Sequence, residues 1–113
     1  MFELKAGMDR YVIDFTDVSR ANDFHDIIRD ALDFPDWYGK NWDALWDLLS
    51  DMAIGGDPTH IEIRGLDHLR NFYEPAIEPF ISILKDYKHY RNDKYAKLIR
   101  IEIVDGDNIT EIE

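Results

Sequence analysis

Between Asn41 and Met52 the apolar and acidic positions separate onto two sides of a helix. At roughly 100° per residue, Trp42, Leu45, Trp46, Leu48, Leu49 and Met52 share one sector, while Asp43, Asp47 and Asp51 form a row on the opposite side. Trp46 stands where the two meet. Asn41 is placed to cap this helix, because its side-chain oxygen can accept an orphan N–H of the first turn. The residues before it, Phe34-Pro35-Asp36-Trp37-Tyr38-Gly39-Lys40, read as a turn punctuated by Pro35 and Gly39.

The same reading extends along the chain. Tyr11, Ile13 and Phe15 share one face of a strand over 11–15. Asn22 is predicted to cap a helix whose Phe24, Ile27, Ile28, Ala31 and Leu32 recur at helical spacing, and Pro35 ends it. Gly55-Gly56-Asp57-Pro58 is the strongest breaker cluster and closes the acidic helix. Thr59 to Arg64 alternates as a strand. Leu66, Leu69, Phe72 and Tyr73 suit a short helix after Gly65. A longer helix starts between Pro75 and Pro79, since proline is tolerated only in a first turn. Its buried stripe is Ile77, Phe80, Ile81, Leu84 and Tyr87, with Asp86 opposite. Ile99, Ile101 and Ile103 mark a last strand over 97–104. Residues 105–113 read as a turn and an acidic tail, and residues 1–10 as an extension able to add a short extra N-terminal strand.

The order β-α-α-β-α-α-β implies an α/β domain with a small, mostly parallel sheet. Parallel strands covered on both faces read as continuous apolar runs. Here the second and third strands put Glu62, Arg64, Arg100 and Glu102 on their off-side. The expected fold is therefore two-layered, a three-stranded parallel sheet with helices packed on one face. The 113 residues suit a single domain, with a core over about 11–104.

Charge narrows the function. The net charge is −11, which disfavours direct contact with nucleic acid. Residues 14–51 hold ten acids and three bases. Lys85, Lys88, Arg91, Lys94, Lys97 and Arg100 oppose only Asp86 and Asp93 over 85–100. Such a dipole can steer a charged partner to one end. The absence of cysteine excludes disulfide and thiolate chemistry and fits a reducing, cytoplasmic setting. Neither a signal peptide nor a membrane span is expected.

Enzymatic chemistry is not in evidence. No glycine-rich phosphate loop or G-x-S-x-G occurs. His25, His60, His68 and His89 lack ligand spacing and read as surface or cap histidines. Asp43 and Asp47 could share a hard cation, but no third ligand or nucleophile is near in sequence, so no metal, cofactor or catalytic residue is expected. A solvated outer face is the commonest meaning of an acidic row. Three details count against it: no i,i+4 Glu/Lys pairing, Asp rather than the better helix former Glu, and an aromatic at its border, which suits an interface anchor.

The pattern Pro35-x-x-Tyr38-Gly39-x-Asn41-x-Asp43-Ala44-Leu45-Trp46-Asp47-x-Leu49 resembles the signature of the barstar family, intracellular inhibitors of a secreted bacterial ribonuclease. The likeness extends in element order over about 11–104. It implies a three-stranded parallel sheet with helices on one side, and a loop and helix that plug a nuclease active site. By resemblance, Asp47 is the central carboxylate, set where the RNA phosphate would bind, and Asp43 the second acid. Trp37 stands as an aromatic lid where the family has tyrosine. Tyr38, Gly39, Asn41, Trp46 and Asp51 complete the partner-binding surface, with Asp86 as an outlying charge contact. Asp51 replaces a glycine, Met52 a tryptophan and Lys40 an acid, so the rim has changed while the central acids remain. The expected activity is stoichiometric inhibition of a basic ribonuclease by a protein that is a single copy when free. A regulatory module binding some other basic protein is the alternative.

Overall fold

The computed structural model describes residues 10–54, 60–95 and 99–113. The alternating stretches form β1 (Arg10–Asp14), β2 (His60–Arg64) and β3 (Arg100–Asp105). β1 pairs with β2 and β2 with β3, both in parallel, with Tyr11, Ile61 and Ile101 in register and Ile13, Ile63 and Ile103 one pleat further on. Ile13, Ile61, Ile63 and Ile101 are buried against the helical layer. The opposite face carries the polar side chains, as their alternation requires. Glu62 nevertheless is only 5% exposed there, because Arg10 and Arg64 lie over it.

The helices are α1 (Asp23–Leu32), α2 (Trp42–Ile54), α3 (Leu66–Tyr73) and α4 (Ile77–Tyr95), with a single 3-10 turn over Glu74–Ala76 leading into α4. Pro75 opens that turn and Pro79 falls within the first turn of α4, where a missing N–H costs nothing. Phe24 of α1 is the hub of the core. Its ring stacks on Phe15 at 5.4 Å and meets Phe80 edge-on at 5.4 Å. Gly65 fits β2 to α3. Its φ is +77°, and a Cβ there would lie 2.4 Å from the Thr16 nitrogen, so the close approach of two backbones requires glycine.

Three sequence expectations change. Residues 108–111 are not a loose tail. They form β4 (Asn108–Glu111), antiparallel to β3, so among the described residues the sheet has four strands in the order β1-β2-β3-β4. The Gly106-Asp107 turn permits it, with Gly106 at a φ of +61°, and Ile112 beyond it is buried. Asn22 makes no side-chain cap to α1. The Asp23 and Phe24 N–H groups instead bond back to the Arg20 and Ala21 carbonyls. The basic stretch is also less available than its charges suggest. Arg91 is fully buried and donates to the Tyr87 hydroxyl at 2.8 Å. Lys88 is drawn into the C-terminal hairpin, to Glu111 at 3.2 Å and the Ile112 carbonyl at 2.7 Å. These bases serve packing rather than an outward field. The extra N-terminal strand and the Gly55–Pro58 breaker lie outside the described residues.

Candidate functional site

The acidic helix begins as its sequence demands. The Asn41 side-chain oxygen accepts from the Ala44 N–H at 2.8 Å, and the Asn41 carbonyl takes the Leu45 N–H at 3.0 Å. This is the capping geometry that satisfies an orphan donor. Leu45, Leu48 and Leu49 are buried on one side of α2, whereas Asp43, Asp47 and Asp51 are exposed on the other. Among the described residues, none of these three aspartates has a hydrogen-bond or ion-pair partner. A carboxylate row without internal partners is free to meet cations from outside.

The loop before α2 is held from behind. α1 ends at Leu32, and Asp33 adopts the left-handed conformation with a φ of 60°. The Asp33 and Phe34 N–H groups both reach the Arg29 carbonyl, satisfying a helix end as such caps commonly do. Tyr38 closes a turn onto the Pro35 carbonyl at 3.0 Å. Its ring is 3% exposed, packed beside Phe34 and His25. Burial pushes the phenol well above its ordinary range, so it keeps its proton. Burial also lowers His25, outweighing the opposing pull of Asp26. The 2.7 Å contact between them is a hydrogen bond joining the phenol hydroxyl to Nδ1 of the imidazole. Trp37, next in the loop, projects outward and is 75% exposed. A groove is lined by Trp37 and Gly39 from the loop and by Ala44, Asp47, Leu48 and Asp51 from α2.

The structure thus brings Trp37, Gly39, Asn41, Asp43, Asp47 and Asp51 together at one surface. Tyr38 belongs beneath it. Trp46 leans the other way, edge-on to Tyr90 at 5.5 Å and Tyr87 at 6.4 Å, and joins α2 to α4. Asp86 is exposed on α4. Lys40 is half exposed and turns toward α1. Its Nζ stands 2.8 Å from Asp26 Oδ1 on α1, an ion pair rather than a well-aimed hydrogen bond. This pair is the first cause holding the Asp26 carboxyl below its ordinary value.

A second titratable group lies on the open face of the sheet. His60, Glu62 and Glu102 have ligand-type atoms within 4.8 Å of one another. Sequence spacing does not show this grouping, because register rather than separation assembles it. Its charges are already matched. Glu62 receives Arg10 at 3.0 Å and also Arg64. Glu102 receives His60 at 2.8 Å and Arg100 at 3.3 Å. With all four carboxylate oxygens occupied, the group is a cross-strand charge network.

Comparison with known proteins agrees with this architecture. The family model of barstar, the barnase inhibitor, matches residues 8–102. A Bacillus subtilis (strain 168) protein named "Putative ribonuclease inhibitor YrdF" is 27% identical over 92 residues, covering 81% of this chain and 99% of that protein. The chain belongs to the barstar family. Among the described residues, no helix is long and apolar enough to cross a membrane.

Proposed function

We propose that this protein inhibits a basic ribonuclease in one-to-one complex, laying the loop 36–41 and the acidic face of α2 over the enzyme's active site. The observation that carries this reading is the row Asp43, Asp47 and Asp51, exposed and, among the described residues, without internal partners on a capped helix. A ribonuclease must gather cations to bind its polyanionic substrate. A rigid carboxylate row offers those cations a competing set of anions, and complementary fields speed the encounter. In this reading Asp47 is the central contact and Asp43 its neighbour. Trp37 covers the edge of the groove, Gly39 lets the loop lie close, and Asp51 and Asp86 act at the periphery. Trp46 and Tyr38 support the surface from below. The family membership and the relative's name support a nuclease as the target. The cysteine-free composition suits action inside the cell, as protection against the enzyme.

The test is titration of the protein into a panel of small basic ribonucleases, followed by the rate of RNA cleavage. Inhibition should reach its end point at equimolar protein and weaken as salt rises, since salt screens the attraction. Full activity of every enzyme at molar excess of the protein would favour a regulatory role toward some other basic protein.

A further inference from the structure

The surface just described is a loop followed by a helix, and the two are not equally rigid by construction. α2 is fixed by its leucines and its cap. The loop from Asp36 to Lys40 has no strand or helix of its own. Fixing flexible residues on binding costs conformational entropy, so a useful loop must be ordered beforehand by something outside it.

Two adjacent residues of α1 do this. His25 Nδ1 is hydrogen-bonded to the Tyr38 hydroxyl at 2.7 Å, and Asp26 holds Lys40 at 2.8 Å. The tethered residues flank Gly39, where the loop runs into α2. Lys40 has a φ of 56°, a left-handed conformation disfavoured for a side-chain-bearing residue. Without a tether, residues 39–40 would drift toward commoner backbone states and Trp37 would lose its fixed place over the groove. His25 is further held edge-on to Trp42 at 5.4 Å, which links the clamp to the first turn of α2. His25, Asp26 and Lys40 also line a cleft with Asn22 and Tyr73, behind the loop.

We propose that His25 and Asp26 are positioning residues for the recognition loop, setting partner affinity through Tyr38 and Lys40 without themselves touching the partner. Lys40 accordingly serves as a tether between the loop and α1. This deepens the inhibitor reading, and rests on it only for the binding consequence. The order of the loop belongs to the free protein.

The experiment has two arms. In the free protein, amide hydrogen exchange is followed at Tyr38, whose N–H bonds to Pro35, and at Leu49 and Ile63 as core references. Asp26→Asn keeps the shape and removes the charge. It should speed exchange at Tyr38 by about two- to fivefold, the size of a partly exposed ion pair, and leave the core amides unchanged. His25→Phe should act in the same direction and more strongly, because it strands a buried hydroxyl. The reversed pair Asp26→Lys with Lys40→Asp should restore slow exchange, which a merely structural role of either residue would not do. Unchanged exchange at Tyr38 in both single variants overturns the clamp, whatever the partner is.

The second arm measures affinity for whichever ribonuclease of the panel the wild type inhibits. Asp26→Asn should weaken it by about two- to fivefold, since apparent affinity scales with the competent fraction, while the melting temperature falls by no more than the few degrees that a partly exposed ion pair is worth. Faster exchange with unchanged affinity overturns the positioning role and leaves the inhibitor reading intact. If the wild type inhibits no ribonuclease, that reading fails while the exchange arm still decides the clamp.

Discussion

Two faces of this molecule are rich in carboxylates, and they behave oppositely. On the open side of the sheet, Glu62 and Glu102 sit among Arg10, Arg64, Arg100 and His60, and each oxygen has a partner. On α2, Asp43, Asp47 and Asp51 stand exposed with none among the described residues. The first arrangement fastens strands together. The second leaves its charge unmatched by the fold, as the proposed recognition surface requires. Acidity alone does not separate a structural from a recognition surface. What separates them is whether the fold supplies the countercharge.

The contrast can be broken by swapping what each face is asked to do. The largest effect should come from Asp47→Ala. Removing one member of a charge pair buried on association costs about 2–5 kcal/mol, so inhibition of the cognate ribonuclease should fall by at least about 30-fold. The melting temperature should hardly move, because an exposed unpaired acid contributes little to folding. A binding loss matched by an equal loss of stability would place Asp47 in the structural class. Glu62→Ala should show the reverse. Its two guanidinium contacts are nearly buried at the carboxylate end, and their loss should cost about 1–2 kcal/mol in denaturant unfolding with affinity unchanged.

A smaller effect concerns pH. Burial holds His25 below its ordinary value in the folded protein, so around and below pH 6.5 the unfolded chain binds more protons at this site. Its contribution to stability is complete above that pH and declines as pH falls toward the folded value. His25→Phe should flatten this part of the stability profile between pH 7 and 5. A slope that is the same in the variant would remove His25 as its source. Asp26 is depressed mainly by Lys40, and its contribution should disappear only in stronger acid, below the ordinary aspartate range. Smallest of all should be Asp51→Ala. As a rim charge it should slow association by a few-fold at low salt and by nothing measurable at high salt.

Much of this was legible in the sequence because simple periods carry it. Alternation in 60–64 and 100–104 fixed strands with one polar face, and the wheel of α2 separated leucines from aspartates as burial does. The parallel sheet followed from element order. β4 was not read, although Asp105-Gly106-Asp107 between Val104 and Ile109 is a hairpin signal. The acidic composition of that end obscured it. Register-dependent contacts were also hidden. His60, Glu62 and Glu102 lie far apart in sequence until pairing aligns them. The Lys40–Asp26 pair is hidden as well, because a long side chain's direction depends on a backbone twist that no periodicity announces. The basic stretch misled for a related reason, since counting charges cannot show that Arg91 is interior.

All three residues of the acidic row are aspartates. A stem of one methylene leaves each charge few places to go, and successive members lie roughly 6 Å apart along the axis, at 1.5 Å per residue. The row is a scale engraved on the helix, its marks fixed by backbone geometry. Glutamates would reach further but would surrender more rotamer freedom on being held. A partner whose cations match that interval meets a surface that hardly needs to adjust, while one with a different interval must deform itself or leave a mark unmatched.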